Sequence, residues 1–163
     1  MEDAMTIINV GVGELAVSAS PDVLKTILGS CVGIAIYSPV DKVGGLIHIM
    51  LPRLNNGDMN RTRYANSGIP ELIAIIEGKY GVDRRNMQAK IAGGANMFSF
   101  KKTASPLFDI GPNNITAVRY CLNELNIPIT GEDVGLNYGR RVEFHIESGR
   151  MVIVGPDRQV IDR

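Results

Sequence analysis

Cys31-Val32-Gly33-Ile34-Ala35-Ile36-Tyr37, stopped by Ser38-Pro39, and Gly45-Leu46-Ile47-His48-Ile49-Met50-Leu51, stopped by Pro52, are two apolar runs joined by a short turn around Asp41. Short runs rich in β-branched residues and closed by proline read as strands. They are expected to be neighbours in the core. Upstream, residues 6–19 begin with β-branched side chains, break at Gly11 and Gly13 and resume as Leu15-Ala16-Val17, which reads as an interrupted strand before a turn at Pro21-Asp22.

Downstream, residues 53–63 are polar and rich in turn formers, so they read as a surface loop. A helix is predicted next. Asn66 or Ser67 would cap it, Pro70 would sit in its first turn, and Ile69, Leu72, Ile73, Ile76 and Tyr80 would share one face before Gly81. A strand over 89–92 runs into Gly93-Gly94. A second helix is predicted from about Asn113, with Ile115, Val118, Leu122 and Leu125 as its stripe and Pro128 beyond its end. Residues 141–147 and 151–154 read as a hairpin around Ser148-Gly149. The expected class is α/β (α+β), one domain over 1–163.

Composition narrows the function. The 163 residues carry 17 Lys+Arg against 17 Asp+Glu, which removes the electrostatic basis for strong binding to nucleic acid or an anionic membrane. No apolar run approaches the roughly 20 residues that span a bilayer, and the start Met1-Glu2-Asp3-Ala4 lacks the basic residues of a secretory signal, so a cytoplasmic location is expected. Two cysteines are too few for a disulfide scaffold. Cys31, His48, Cys121 and His145 could nominally ligate zinc, but separations of 17, 73 and 24 residues match no zinc-site spacing, so no metal is expected.

The chemistry then rests on two side chains. Alternation puts Cys31 on one strand face with Gly33 and Ala35, whose small size leaves room beside the sulfur, and Val32, Ile34 and Ile36 on the other. The Leu28-Gly29-Ser30 turn before it can direct backbone N–H groups at a developing oxyanion. A buried packing thiol is the competing reading. His48 is the lone polar side chain of its run, and a buried imidazole needs hydrogen-bond partners. If the two strands pair with both side chains on one face, thiol and imidazole can form a nucleophile–base pair, with the imidazolium favouring the thiolate. Thr26, an asparagine or a backbone carbonyl could orient the base. Cys121 reads as core filler on the second helix. His145 reads as a solvated strand residue on the face of Glu143 and Glu147.

Leu28-Gly29-Ser30-Cys31-Val32, Gly45-Leu46-Ile47-His48-Ile49-Met50-Leu51-Pro52, Ala89-Lys90-Ile91-Ala92-Gly93-Gly94-Ala95-Asn96-Met97-Phe98 and Gly139-Arg140-Arg141-Val142 together resemble the CheD family in order and spacing, across residues 11–154. The resemblance implies hydrolysis of glutamine side chains to glutamate, with ammonia released, on methyl-accepting chemotaxis receptors. It implies no cofactor. It assigns Cys31 as nucleophile, His48 as general base and acid, and the Ser30 and Cys31 backbone as the oxyanion hole. The family's threonine, six residues before the cysteine, falls here on Lys25; Thr26, five before, is the candidate orienting residue. The implied fold is a layered sandwich of mixed sheet with flanking helices, similar to the cytotoxic necrotizing factor toxins. Phe98, Arg63 and Tyr64 are the expected docking residues. The CheC phosphatase is a further partner implied by the resemblance, and a chain acting mainly by binding CheC or receptors is the alternative reading.

Overall fold

A computed structural model describes residues 4–54, 57–97, 109–156 and 160–163. Two five-stranded sheets are stacked, and two helices cover the outer face of one of them. The first sheet has the order β1 (Ile7–Asn9), β3 (Val23–Leu28), β8 (Arg140–His145), β9 (Arg150–Val154), β10 (Val160–Asp162). The second runs β2 (Leu15–Ala19), β5 (Val43–Ile49), β4 (Val32–Ser38), β6 (Gln88–Gly93), β7 (Ile129–Val134). Both are mixed: β1 pairs β3 and β6 pairs β7 in parallel, and the other pairs are antiparallel. The β6 to β7 connection carries α2 (Ile110–Glu124), the crossover a parallel pair requires.

Every residue of β4 and β5 is buried, because the helices cover one face and the first sheet the other. Alternation divides each strand between two cores. Val32, Ile34, Ile36, Ile47 and Ile49 pack with Ile69, Leu72, Ile73 and Ile76 of α1 (Ala65–Tyr80) and with Val118 and Leu122 of α2. Ala35, Leu46 and Ala92 pack between the sheets against Leu24, Leu28, Phe144 and Ile153. The expected layered sandwich of mixed sheet with flanking helices is the observed architecture.

Several boundaries differ from expectation. The interrupted strand over 6–19 is two strands in different sheets, split by a turn in which Glu14 N–H donates to Gly11 C=O at 3.0 Å. Strands β3, β7 and β10 were not anticipated. The first helix begins at Ala65 without a side-chain cap, so Asn66 and Ser67 lie inside it, and so does Pro70 beyond its first turn. Its opening N–H groups are met instead by the preceding loop: Ala65 N–H donates to Leu51 C=O at 3.0 Å and Asn66 N–H to Pro52 C=O at 3.2 Å. The Asn66 carboxamide turns outward to accept from Leu54 N–H.

Candidate active site

In the β4–β5 ladder Gly33 stands opposite His48, and Val32 opposite Ile49 is the last pair before the strands diverge. Cys31 sits one residue before β4, half-buried, packed against the core between the sheets with Ala35. It is therefore on the face expected, diagonal to His48 across the unsubstituted Gly33. A Cβ on Gly33 would meet Leu28 Cδ1 at 3.1 Å and Thr26 Cγ2 at 3.6 Å, so the space over this position is shared by His48, Cys31 and the inward face of β3.

Thr26 comes from the opposite sheet. Its hydroxyl lies 2.7 Å from Val10 C=O and 2.8 Å from His48 Nδ1. A hydroxyl has a single proton and a carbonyl can only accept, so the proton goes to Val10 and Nδ1 must donate to the hydroxyl oxygen. This fixes the tautomer. Nε2 then carries the lone pair, and it is buried with no hydrogen-bond partner among the described residues. Burial lowers the His48 pKa below that of an ordinary histidine, with the Val10 carbonyl opposing, and burial raises that of the Cys31 thiol. Both directions favour the neutral thiol and the neutral imidazole over a standing thiolate–imidazolium pair.

The turn before Cys31 is held by the residues that follow β6. Gly94 N–H donates to Cys31 C=O at 2.8 Å and Ala95 N–H to Gly29 C=O at 3.0 Å. An antiparallel ladder would return the first bond from Cys31 N–H to Gly94 C=O, but Gly93 and Gly94 have φ of 101° and 68°, which turns that carbonyl away. The amides of Ser30 and Cys31 make no bond among the described residues. Asn114 of α2, fully buried, places its Nδ2 at 3.1 Å from Ser30 C=O and 2.8 Å from Met50 C=O. Sequence reasoning passed over it, since a polar residue near a helix start reads as solvated.

The other expected residues have different settings. Arg63 is exposed, while its carbonyl accepts from Met50 N–H and Leu51 N–H at 2.7 and 3.2 Å, tying the 53–63 loop to the end of β5. Tyr64 is 5% exposed and its hydroxyl donates to Asp58, so its side chain anchors the loop. Phe98 lies outside the described residues. Cys121 packs at the margin of the helix-side core, and it also lines a surface groove with Leu51, Arg53, Asn66 and Tyr120. His145 is part-exposed, 3.6 Å from the Glu143 carboxylate, at the far end of β3 from the site.

The model of the family described as CheD chemotactic sensory transduction matches residues 50–154, more than half of the chain. The chain is 45% identical over 150 residues to a probable chemoreceptor glutamine deamidase CheD of Caldanaerobacter subterraneus, covering 90% of this chain and 91% of that one. It is 42% identical to the chemoreceptor glutamine deamidase CheD of Halalkalibacterium halodurans, covering 90% and 92%. Among solved structures, Neisseria meningitidis NMB0706, of the DUF152 family, superposes with a TM-score of 0.54 at 8% identity, over 81% of this chain and 64% of its own. Bacillus licheniformis YfiH, a hypothetical protein, gives 0.50 at 13%, over 73% and 49%. The chain thus spans less than two thirds of either structure's length, and at these identities the likeness concerns the fold alone. Identity of this level along nine tenths of the chain, together with the family-model match, establishes that the chain belongs to the CheD family.

Proposed function

We propose that this chain is a chemoreceptor glutamine deamidase whose nucleophile is Cys31 and whose general base and acid is His48. The observation that carries the reading is the relay from Val10 C=O through the Thr26 hydroxyl to His48 Nδ1, which leaves a buried Nε2 lone pair on the strand face of Cys31. Nε2 takes the thiol proton as the sulfur attacks the carboxamide carbon of a receptor glutamine. The Ser30 and Cys31 amides receive the oxyanion. The imidazolium gives its proton to the departing nitrogen, which leaves as ammonia, and a thioester remains. Water then attacks, its proton passing to Nε2 and on to the released sulfur, and the product is glutamate. Thr26 holds the ring in the required tautomer throughout, and no step requires a cofactor.

The test is mass spectrometry of a receptor signalling fragment incubated with the wild type and with Cys31→Ala. Conversion of an amide to an acid adds about one dalton per site, and the gain is expected with the wild type only, since the chemistry is covalent. Product formed by Cys31→Ala would remove the nucleophile assignment. A stable complex with no product from either protein would favour a binding role.

A further inference from the structure

The β4–β5 ladder ends at Val32 and Ile49, just short of the chemistry. Beyond that pair Cys31 C=O is taken by Gly94 N–H, and Met50 N–H turns away to Arg63 C=O. No ladder bond therefore fixes the turn that carries Cys31 against the segment that follows His48. Asn114 stands in that gap. Its Nδ2 has two hydrogens and two carbonyls within reach, Ser30 at 3.1 Å and Met50 at 2.8 Å. The assignment of nitrogen and oxygen is forced, because the reverse orientation would set the amide oxygen against two other oxygens. Among the described residues it is the one donor that reaches both chains past the last pair.

The placement has a cost that argues for a purpose. Asn114 is wholly inaccessible and its Oδ1 is buried without a partner among the described residues, a desolvation that an apolar side chain of the same size would avoid. The helix also has to come unusually close to make the contact. A Cβ on Gly111, in the first turn of α2, would overlap the carbonyls of Gly94 and Ala95, so glycine there lets the helix sit directly on the turn that holds Cys31. No charged or single-donor side chain could replace the bridge. Aspartate brings no hydrogens at neutral pH, serine brings one, and lysine is too long.

We propose that Asn114 is a positioning residue of the deamidation site, setting the separation between the Cys31 nucleophile and the His48 base. The inference rests on the Cys31–His48 reading above. Displacement of reacting groups by about 1 Å can lower a rate by about 10²-fold, and the effect belongs to the chemical step rather than to substrate binding.

The experiment uses full-length protein in a Cys121→Ser background, so that one thiol remains to report. Asn114→Leu, which keeps the volume and removes the donors, and Asn114→Gln, which keeps the NH₂ group, are compared with His48→Ala. Two readouts are taken: ammonia release from a receptor signalling fragment, and the pH profile of Cys31 alkylation by iodoacetamide. Asn114→Leu is expected to lower kcat by about 10²-fold with KM changed less than about twofold, and to shift the alkylation profile toward that of His48→Ala, with Asn114→Gln recovering at least a tenth of the wild-type kcat. If Asn114→Leu does not fold, Asn114→Ser, smaller and well tolerated near a helix start, takes its place with the same expectations. Loss of activity with an unchanged alkylation profile, or a rise in KM alone, would overturn the positioning role. An alkylation profile that His48→Ala leaves unmoved would instead point to failure of the underlying Cys31–His48 reading.

Discussion

Thr26→Val exchanges a hydroxyl for a methyl of similar size, so the shape of the core persists while Val10 C=O and His48 Nδ1 both lose their partner. Leaving two buried polar groups unpaired should lower stability by about 1–3 kcal/mol. The larger consequence is chemical, because nothing then favours the tautomer with a free Nε2. The rate constant for ammonia release is expected to fall by about 10²-fold or more, as when the orienting member of a triad is lost, and Thr26→Ser should restore most of it. Wild-type kinetics in Thr26→Val would show that the ring is oriented by something else. Protonation supplies a second check on the same residue. Since burial lowers the His48 pKa, the imidazole is an available base down to below the ordinary value of about 6.5, and kcat/KM should decline only on the acid side of that pH. The same sign applies to stability: a depressed folded pKa contributes stability above the unfolded value, and that contribution is lost as pH falls through the folded one. An acid limb centred well above pH 6.5 would contradict the buried, neutral imidazole. Alternation puts Cys31 and Gly33 on one face of the β4 run, and pairing of Gly33 with His48 brings the imidazole to that same face, the condition on which the sequence reading rested. The partner was harder to single out, since Thr26 is polar yet inward while its neighbour Ile27 is 71% exposed, an inversion that hides β3 from pattern reading.

The β4–β5 ladder stops at Val32 and Ile49, one residue short of Cys31. The glycine pair at the end of β6 bends the chain with positive φ, and a Cβ on Gly93 would fall on the Cys31 carbonyl itself. Gly93→Ala should therefore combine backbone strain of about 1–3 kcal/mol with displacement of the nucleophile turn. A lower urea midpoint accompanied by a disproportionate loss of ammonia release is the expected outcome; a loss of activity no greater than the unfolded fraction explains would mean that the turn tolerates the shift. The dipeptide was visible in the sequence as the end of the 89–92 strand, but its effect on Cys31 N–H was not, because that depends on which bond of a ladder pair is missing. Helix boundaries were misread for a related reason. Preceding carbonyls of Leu51 and Pro52 satisfy the first amides of α1, a long-range solution that capping rules, which look at neighbouring side chains, do not anticipate. Asn114 escaped notice similarly: its partners lie 84 and 64 residues away in the chain.

At the scale of the molecule, the candidate site lies where two sheets meet, since Thr26 belongs to one, His48 to the other, and Cys31 to the turn that leads into that second sheet. Its geometry therefore depends on the sheets keeping their relative position. Apolar packing resists separation but is weakly directional, so it leaves sliding less constrained than a polar contact would. Arg140 and Asp133 supply that contact. Arg140 begins β8 in the first sheet, Asp133 lies in β7 of the second, and their side chains meet at 3.2 Å with exposures of 0% and 7%. The remaining guanidinium donors reach Gly135 C=O at 2.9 Å and Tyr138 C=O at 3.3 Å, and the Tyr138 ring stacks on the group at 4.5 Å. One buried cation thus organises the β7–β8 connection as well as the sheet pair. Residue type gave no warning of this, because an Arg-Arg pair at the start of a strand reads as surface. Removing the carboxylate with Asp133→Ala should cost about 3–5 kcal/mol, since the guanidinium stays buried without its counter-ion. Against a total stability of about 5–15 kcal/mol, that is a large fraction. The double variant Asp133→Leu with Arg140→Met should recover much of the loss by replacing the pair with apolar volume. Urea unfolding and ammonia release of Asp133→Ala and of the double separate the ideas: stability recovered in the double, with deamidation still depressed, would place the role of the pair in holding the sheets in register over the site. Recovery of both would reduce it to packing.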